Sequence, residues 1–157
     1  MYHALIFLII IIDQGIKYLI RASLNPGEGF PIIRGVLHFT HVENSGGAFG
    51  ILSGQTAALS VVTAVVVTAI AVYIHKERKS GRRVLLAALS LICAGGVGNL
   101  IDRVRCGVVT DFIDFRIFPV FNFADICVTC GCTLLLLFII FFDRKEETVN
   151  GGDENGR

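Results

Sequence analysis

Four stretches of this chain are long and apolar enough to cross a bilayer, and that leaves few folds open to it. A membrane helix needs about 20 mostly apolar residues to span roughly 30 Å of hydrocarbon. The first stretch, "ALIFLIIIIDQGIKYLI", begins near Ala4; the others run from Thr56 to Ile74, from Val84 to Ile101, and from about Asp125 to Phe142. The expected fold is an all-α membrane protein, a four-transmembrane-helix bundle. Composition agrees, with 54% apolar residues and a mean hydropathy of +0.70. The formal net charge of +1 provides no broad basic footprint, so no nucleic-acid partner is expected.

The first stretch has the length of a secretory signal peptide, but its leading "MYH" carries no Lys or Arg and no small-residue cleavage site follows it. A retained helix is the better reading. Lys and Arg then orient the bundle. "HKERKSGRR", between the second and third spans, carries five of them, and Arg144 and Lys145 follow the fourth. By the positive-inside rule these segments and both termini are cytoplasmic. Residues 1–145 are expected to form a single domain acting as a monomer, and the polar residues 146–157 a disordered cytoplasmic tail.

Two segments remain for the outer face, about Leu24 to Gln55 and Val104 to Ala124. In the first, Val36, His38, Thr40 and Val42 alternate with Leu37, Phe39 and His41, the period of a β-strand. A glycine-rich turn and further apolar residues follow. This predicts a small β-sheet, built from about 24–55, on the outer membrane face.

Against this apolar background the ionisable residues need explaining, since a charge near hydrocarbon costs several kcal/mol unless paired or wetted. At about 1.5 Å of rise per residue, Asn99 stands about 22 Å above the inner boundary, and Asp102 and Arg103 about 27 Å. Asp125, at the top of the fourth span, stands at about 25 Å, Lys17 at about 20 Å and Asp13 at about 14 Å. Three helices thus bring polar groups to the same half of the bilayer. Asp13 and Lys17 are four apart and can pair on one helix face. Asn99, Asp102 and Arg103 are spaced at three and four. Taken singly, Asp13, Lys17, Asp102 and Arg103 are each equally well explained as structural pairs holding the bundle.

Asp111 and Asp125 resist that explanation, because neither has a Lys or Arg three or four residues away. Two carboxylates at the membrane boundary can share a proton and activate water, as in an aspartyl protease. Spacing alone leaves Asp114 in competition with Asp111. Other chemistries lack their motifs: there is no phosphate-binding glycine-lysine loop, no HExxH and no GxSG. Ser45 in "ENSGG" reads as a turn residue, and His38 and His41 as surface or sheet residues. The cluster Cys127, Cys130 and Cys132 invites a metal reading, but no His lies nearby, and small helix-packing residues explain it better. No metal or cofactor is expected.

Five motifs carry a resemblance to a known family: "DQGIK" (Asp13 to Lys17), "NSGGAFG" (Asn44 to Gly50), "GGVGNLIDR" (Gly95 to Arg103), "VVTDF" (Val108 to Phe112) and "FNFAD" (Phe121 to Asp125). In this order, and with this length and topology, the chain resembles the lipoprotein signal peptidases (signal peptidase II). The resemblance implies an aspartyl endopeptidase of the bacterial cell membrane, with its site toward the outer face. It would remove signal peptides from diacylglyceryl-modified prolipoproteins, cutting before the lipidated cysteine. It also implies that Asp111 and Asp125 are the catalytic pair, deciding for Asp111 over Asp114.

Supporting roles follow from chemistry together with that analogy. Asn99 and Asn122 can donate amide hydrogens, Asp102 and Arg103 can fix the end of the third helix, Asn44 can hold the sheet over substrate, and Asp13 and Lys17 can brace the first helix. The cysteine cluster is no part of the family pattern. A small proton- or ion-coupled transporter is the competing reading, weakened by the lack of an internal repeat; a structural subunit leaves the two unpaired carboxylates unexplained.

Overall fold

The computed structural model describes residues 1–46 and 54–143. The tail, and most of the glycine-rich turn after Ser45, lie outside the described residues. Four helices are long and apolar enough to cross a membrane: α1 (Tyr2–Ser23), α2 (Thr56–Glu77), α3 (Arg83–Cys106) and α4 (Phe123–Phe138), the last continuing as a π-helical turn through Asp143. Each buries a minority of its spanning residues, as expected of helices that turn most of their surface to lipid. In α1 the buried positions Ile9, Asp13, Lys17 and Ile20 follow one another at intervals of three or four, while Phe7, Leu8, Ile11, Tyr18 and Leu19 face outward. The usual amphipathic order is inverted. The buried stripe carries the charges.

Helix α3 is the axis of the bundle and packs against the three others. Small residues let it come close. Gly95 lies against the Ala124 carbonyl of α4, and an added Cβ at Gly131 would stand 2.7 Å from the Ala88 carbonyl of α3. At Gly98 an added Cβ would meet Asp13 Oδ2 at 2.6 Å, so this glycine makes room for a charged side chain inside the bundle. The third span ends later than its apolar pattern predicts. Asn99, Asp102 and Arg103 belong to the last helical turns, and Gly107, in the left-handed region (φ 77°), closes the helix by donating its N–H to the Arg103 carbonyl.

The predicted sheet is present but draws on both loops. Strands β1 (Gly29–Ile33), β2 (Leu37–Asn44) and β3 (Val109–Asp114) form an antiparallel sheet in the order β1-β2-β3. Among the described residues, 24–55 supply two strands and the third comes from the shorter loop, a long-range pairing that local periodicity does not reveal. His38 and His41 both lie on β2, and His41 is buried, its Nδ1 2.8 Å from the Leu24 carbonyl oxygen.

After β3 the chain loops out and returns. The Phe121 carbonyl accepts N–H bonds from Phe112 (3.0 Å) and Ile113 (2.8 Å), stitching the start of α4 onto β3. This return brings Asn122 and Asp125 beside Asp111.

Candidate active site

Asp111 sits in mid-strand on β3, opposite Val42, and is almost wholly buried. Asp125 lies in the first turn of α4 and is half-buried. The two share a cavity of about 900 Å³ at the sheet end of the bundle, with Asn44, Asn99 and Arg103 also on its wall. Asp114, three residues along β3, is turned to the other side of the strand, as an odd spacing requires. It accepts from Thr40 Oγ1 (2.9 Å) and the Arg116 N–H (2.8 Å) and does not line the cavity.

Amides hold both cavity carboxylates. Asp111 accepts from Asn44 Nδ2 (3.0 Å) and Asn122 Nδ2 (2.6 Å), and Asp125 from Asn99 Nδ2 (2.8 Å) and the Asn122 backbone N–H (3.2 Å). Asn122 is also the N-cap of α4. Its Oδ1 accepts the Asp125 N–H at 3.0 Å while Asp125 bonds back, a reciprocal capping box. One asparagine therefore starts the helix, aims Asp125 and touches Asp111.

Burial is the main influence on Asp111 and pushes its carboxyl up to about 6; the Asn44 bond opposes this and the neighbouring charge of Asp125 adds to it. Among the described residues neither cavity carboxylate forms a salt bridge. Arg103, on the cavity wall, donates instead to the Gly46 carbonyl at 3.2 Å.

Behind the cavity lies a second, fully compensated cluster. Lys17 is wholly buried, and its ammonium meets Asp13 Oδ2 (3.0 Å), Asp102 Oδ2 (3.0 Å) and Asn99 Oδ1 (2.8 Å), one acceptor for each of its three hydrogens. Asp13 also accepts the Ala124 N–H at 3.0 Å and Asp102 the Thr110 N–H at 3.2 Å, tying α1 to α4 and α3 to β3. Lys17 and Asn122 both donate to Asn99 Oδ1, at 2.8 and 3.1 Å, which leaves the Asn99 amide nitrogen for Asp125. The buried cation thus sets which end of Asn99 the cavity sees.

All nine residues singled out in the sequence meet in this region: Asp111, Asp125, Asn44, Asn99 and Arg103 line the cavity, Asn122 is buried against its carboxylates, and Asp13, Lys17 and Asp102 lie behind. Three further residues join the network: Gln14, Arg21 and Thr110. Arg21 donates to Asp102 Oδ1 (3.3 Å) and Thr110 Oγ1 (2.9 Å), and Gln14 to the Gly98 carbonyl (3.0 Å). Arg21 had a visible signal, being four residues beyond Lys17 on the same face. The capping box was also readable in "NFAD". Thr110 had none. The cysteines remain free: Cys93 and Cys127 are buried, and Cys130 reaches the cavity wall below Asp125.

Known proteins with this sequence pattern agree with one another. Residues 5–141 match the family model described as signal peptidase (SPase) II. A lipoprotein signal peptidase of Halothermothrix orenii is 43% identical over 139 residues, 88% of this chain and 94% of the relative. That of Shouchella clausii is 45% identical over 141 residues, 89% of this chain and 93% of the relative. Among solved structures, a bacterial membrane enzyme determined by the in meso method at 2.3 Å resolution superposes with a TM-score of 0.83 at 32% identity, covering 99% of this chain and 94% of that one. None of these relatives supports a transporter. The chain is a membrane-embedded protease of the signal peptidase II family, whose members process prolipoproteins.

Proposed function

We propose that Asp111 and Asp125 are the catalytic dyad, and that the chain cuts diacylglyceryl-modified prolipoproteins just before the lipidated cysteine. The observation that carries this reading is the shared cavity: two carboxylates face one space and are held by amides. An amide donor orients a carboxylate without fixing its charge, so the pair can hold one proton between them. Such a pair titrates as a unit. Burial favours the proton on Asp111. Asp125 then takes a proton from a water held between the two, the water attacks the scissile carbonyl carbon, and Asp111 donates its proton to the carbonyl oxygen. Collapse of the tetrahedral intermediate breaks the C–N bond, and the leaving amine takes up a proton from the pair. One chain supplies both acids and their donors, so a monomer suffices.

The positive-inside rule puts the basic loop and the N-terminus in the cytoplasm and the cavity toward the outer face. A signal peptide is itself an apolar helix, and acyl chains on the cysteine hold the cleavage point near the headgroups. The cavity wall continues down α4 through Ile126, Val128 and Cys130, an apolar flank suited to such a substrate.

The test is a gel-shift cleavage assay in detergent micelles with a diacylglyceryl-modified prolipoprotein. Asp111→Asn and Asp125→Asn should each lose on the order of 10²–10⁴ in rate while remaining folded at the assay pH, and EDTA should leave the wild-type rate unchanged. Full activity in either folded variant, or EDTA inhibition reversed by zinc, would overturn the dyad.

A further inference from the structure

At the opposite end of the bundle lies a second concavity that the cleavage reaction does not use. Its volume is about 490 Å³, and its walls come from three helices: His3 of α1, the face of α2 from Val67 to Lys76, and Cys93 and Val97 of α3. Helix α2 can lean on α3 because Gly96 leaves room for Val67; an added Cβ would stand 2.6 Å from Val67 Cγ1. At the mouth the rings of His3 and His75 meet edge to face, with centroids 5.7 Å apart, and Lys76 stands beside them. From that mouth the groove runs inward past Ala71 and Val72 to Val67, eight residues or about 12 Å along α2. That is most of the hydrocarbon depth of one leaflet, half of about 30 Å.

The groove therefore has a polar, hydrogen-donating mouth and an apolar interior, aligned along the membrane normal. We propose that it is a binding site for an anionic phospholipid of the leaflet facing the basic loop, with the phosphodiester on His3, His75 and Lys76 and one acyl chain lying along α2. Charge complementarity selects this occupant. The mouth opens at the end of α2 that continues into Lys76, Arg78, Lys79, Arg82 and Arg83, and a cation near an anionic membrane surface contributes about 1 kcal/mol, a factor of about five. Imidazole N–H groups and the ammonium can donate to phosphate oxygens, whereas a zwitterionic headgroup places its own cation against them. The site is independent of the cleavage reading and stands even if the dyad does not.

The sequence contains no Trp, so a single introduced indole reports on one place. Val72→Trp sits in the groove; Val65→Trp, on the same helix and also turned outward, sits outside it. Each variant is reconstituted into phosphatidylcholine vesicles containing brominated-chain phosphatidylglycerol or brominated-chain phosphatidylcholine as quencher. At position 72 the anionic lipid should quench at about fivefold lower mole fraction than the zwitterionic one. At position 65 the two should be equivalent. His75→Ala/Lys76→Gln in the Val72→Trp background should abolish the preference with the melting temperature unchanged. Equal quenching by both lipids at position 72, the same preference at position 65, or a preference that survives the double substitution would each overturn the proposal. Thr68→Trp, on the same groove wall, is the second reporter if Val72→Trp does not fold.

Discussion

Two pairs of aspartates lie within the same end of this bundle, and the protein treats them oppositely. Asp13 and Asp102 share a buried ammonium at 3.0 Å each, and Asp102 takes Arg21 as well. Asp111 and Asp125 are held by asparagines, with no salt bridge among the described residues. A buried carboxylate bonded to cations has its charge matched by fixed partners and serves as architecture. One bonded to amides is oriented yet still free to exchange a proton. The same residue type is made structural or chemical by the kind of donor that faces it.

The comparison breaks most visibly at Lys17. Removing one partner of a buried ionic cluster leaves uncompensated charge, at a cost of about 3–5 kcal/mol. Lys17→Met should therefore lower the melting temperature in detergent far more than either Asn substitution in the dyad. An unchanged melting temperature would mean that the inner cluster is not the structural half of the pair.

A smaller effect of opposite sign is expected at Asp111. Its carboxyl is raised to about 6 from 3.8, mainly by burial. A raised folded-state value means that the stabilising contribution is complete at low pH and is lost as pH rises through about 6. Relative to Asp111→Asn, which does not titrate, the wild type should lose up to about 3 kcal/mol between pH 4 and pH 8. The variant should thus be dead in cleavage and yet gain in relative stability toward alkaline pH. Parallel melting curves across that range would remove the burial argument. In the same window, kcat/KM should fall on its alkaline side near pH 6, where the free enzyme's pair gives up its shared proton.

How much of this arrangement could be read in the sequence depends on the range of the interaction. The four spans were legible because hydrophobic length is a local property, and the Asp13–Lys17 pair because helical spacing is. The depths of Asn99, Asp102 and Lys17 could be estimated by counting residues, which is why the convergence was visible before any contact was. Invisible were the rotations of the helices about their axes, and these decide that Lys17 meets Asn99 at 2.8 Å rather than lipid. The pairing of β2 with β3 was hidden for the same reason: it joins residues about 70 positions apart, from His38 with Asp114 to Asn44 with Val109. Spacing alone leaves Asp111 and Asp114 equivalent; the sheet's alternation turns one to the cavity and the other to Thr40.

The finest division runs through a single residue. Asn122 belongs to both halves of the comparison: its Oδ1 caps α4 through the Asp125 N–H, and its Nδ2 reaches Asp111 and Asn99. Asn122→Ser retains a cap acceptor and deletes the amide donor; Asn122→Ala deletes both. The serine variant should therefore melt above the alanine variant by the worth of a cap, about 1 kcal/mol. Both should slow cleavage alike, by the about 0.5–1.5 kcal/mol of a hydrogen bond to a neutral group. The Asn122 bond also holds the Asp111 carboxyl down, so its loss should move the alkaline limb of kcat/KM to higher pH in both. A serine variant that restores the melting temperature but neither the rate nor the pH profile would show that the helix cap and the proton chemistry are separate functions of one side chain. Recovery of all three together would mean that Asn122 serves the dyad only by starting the helix.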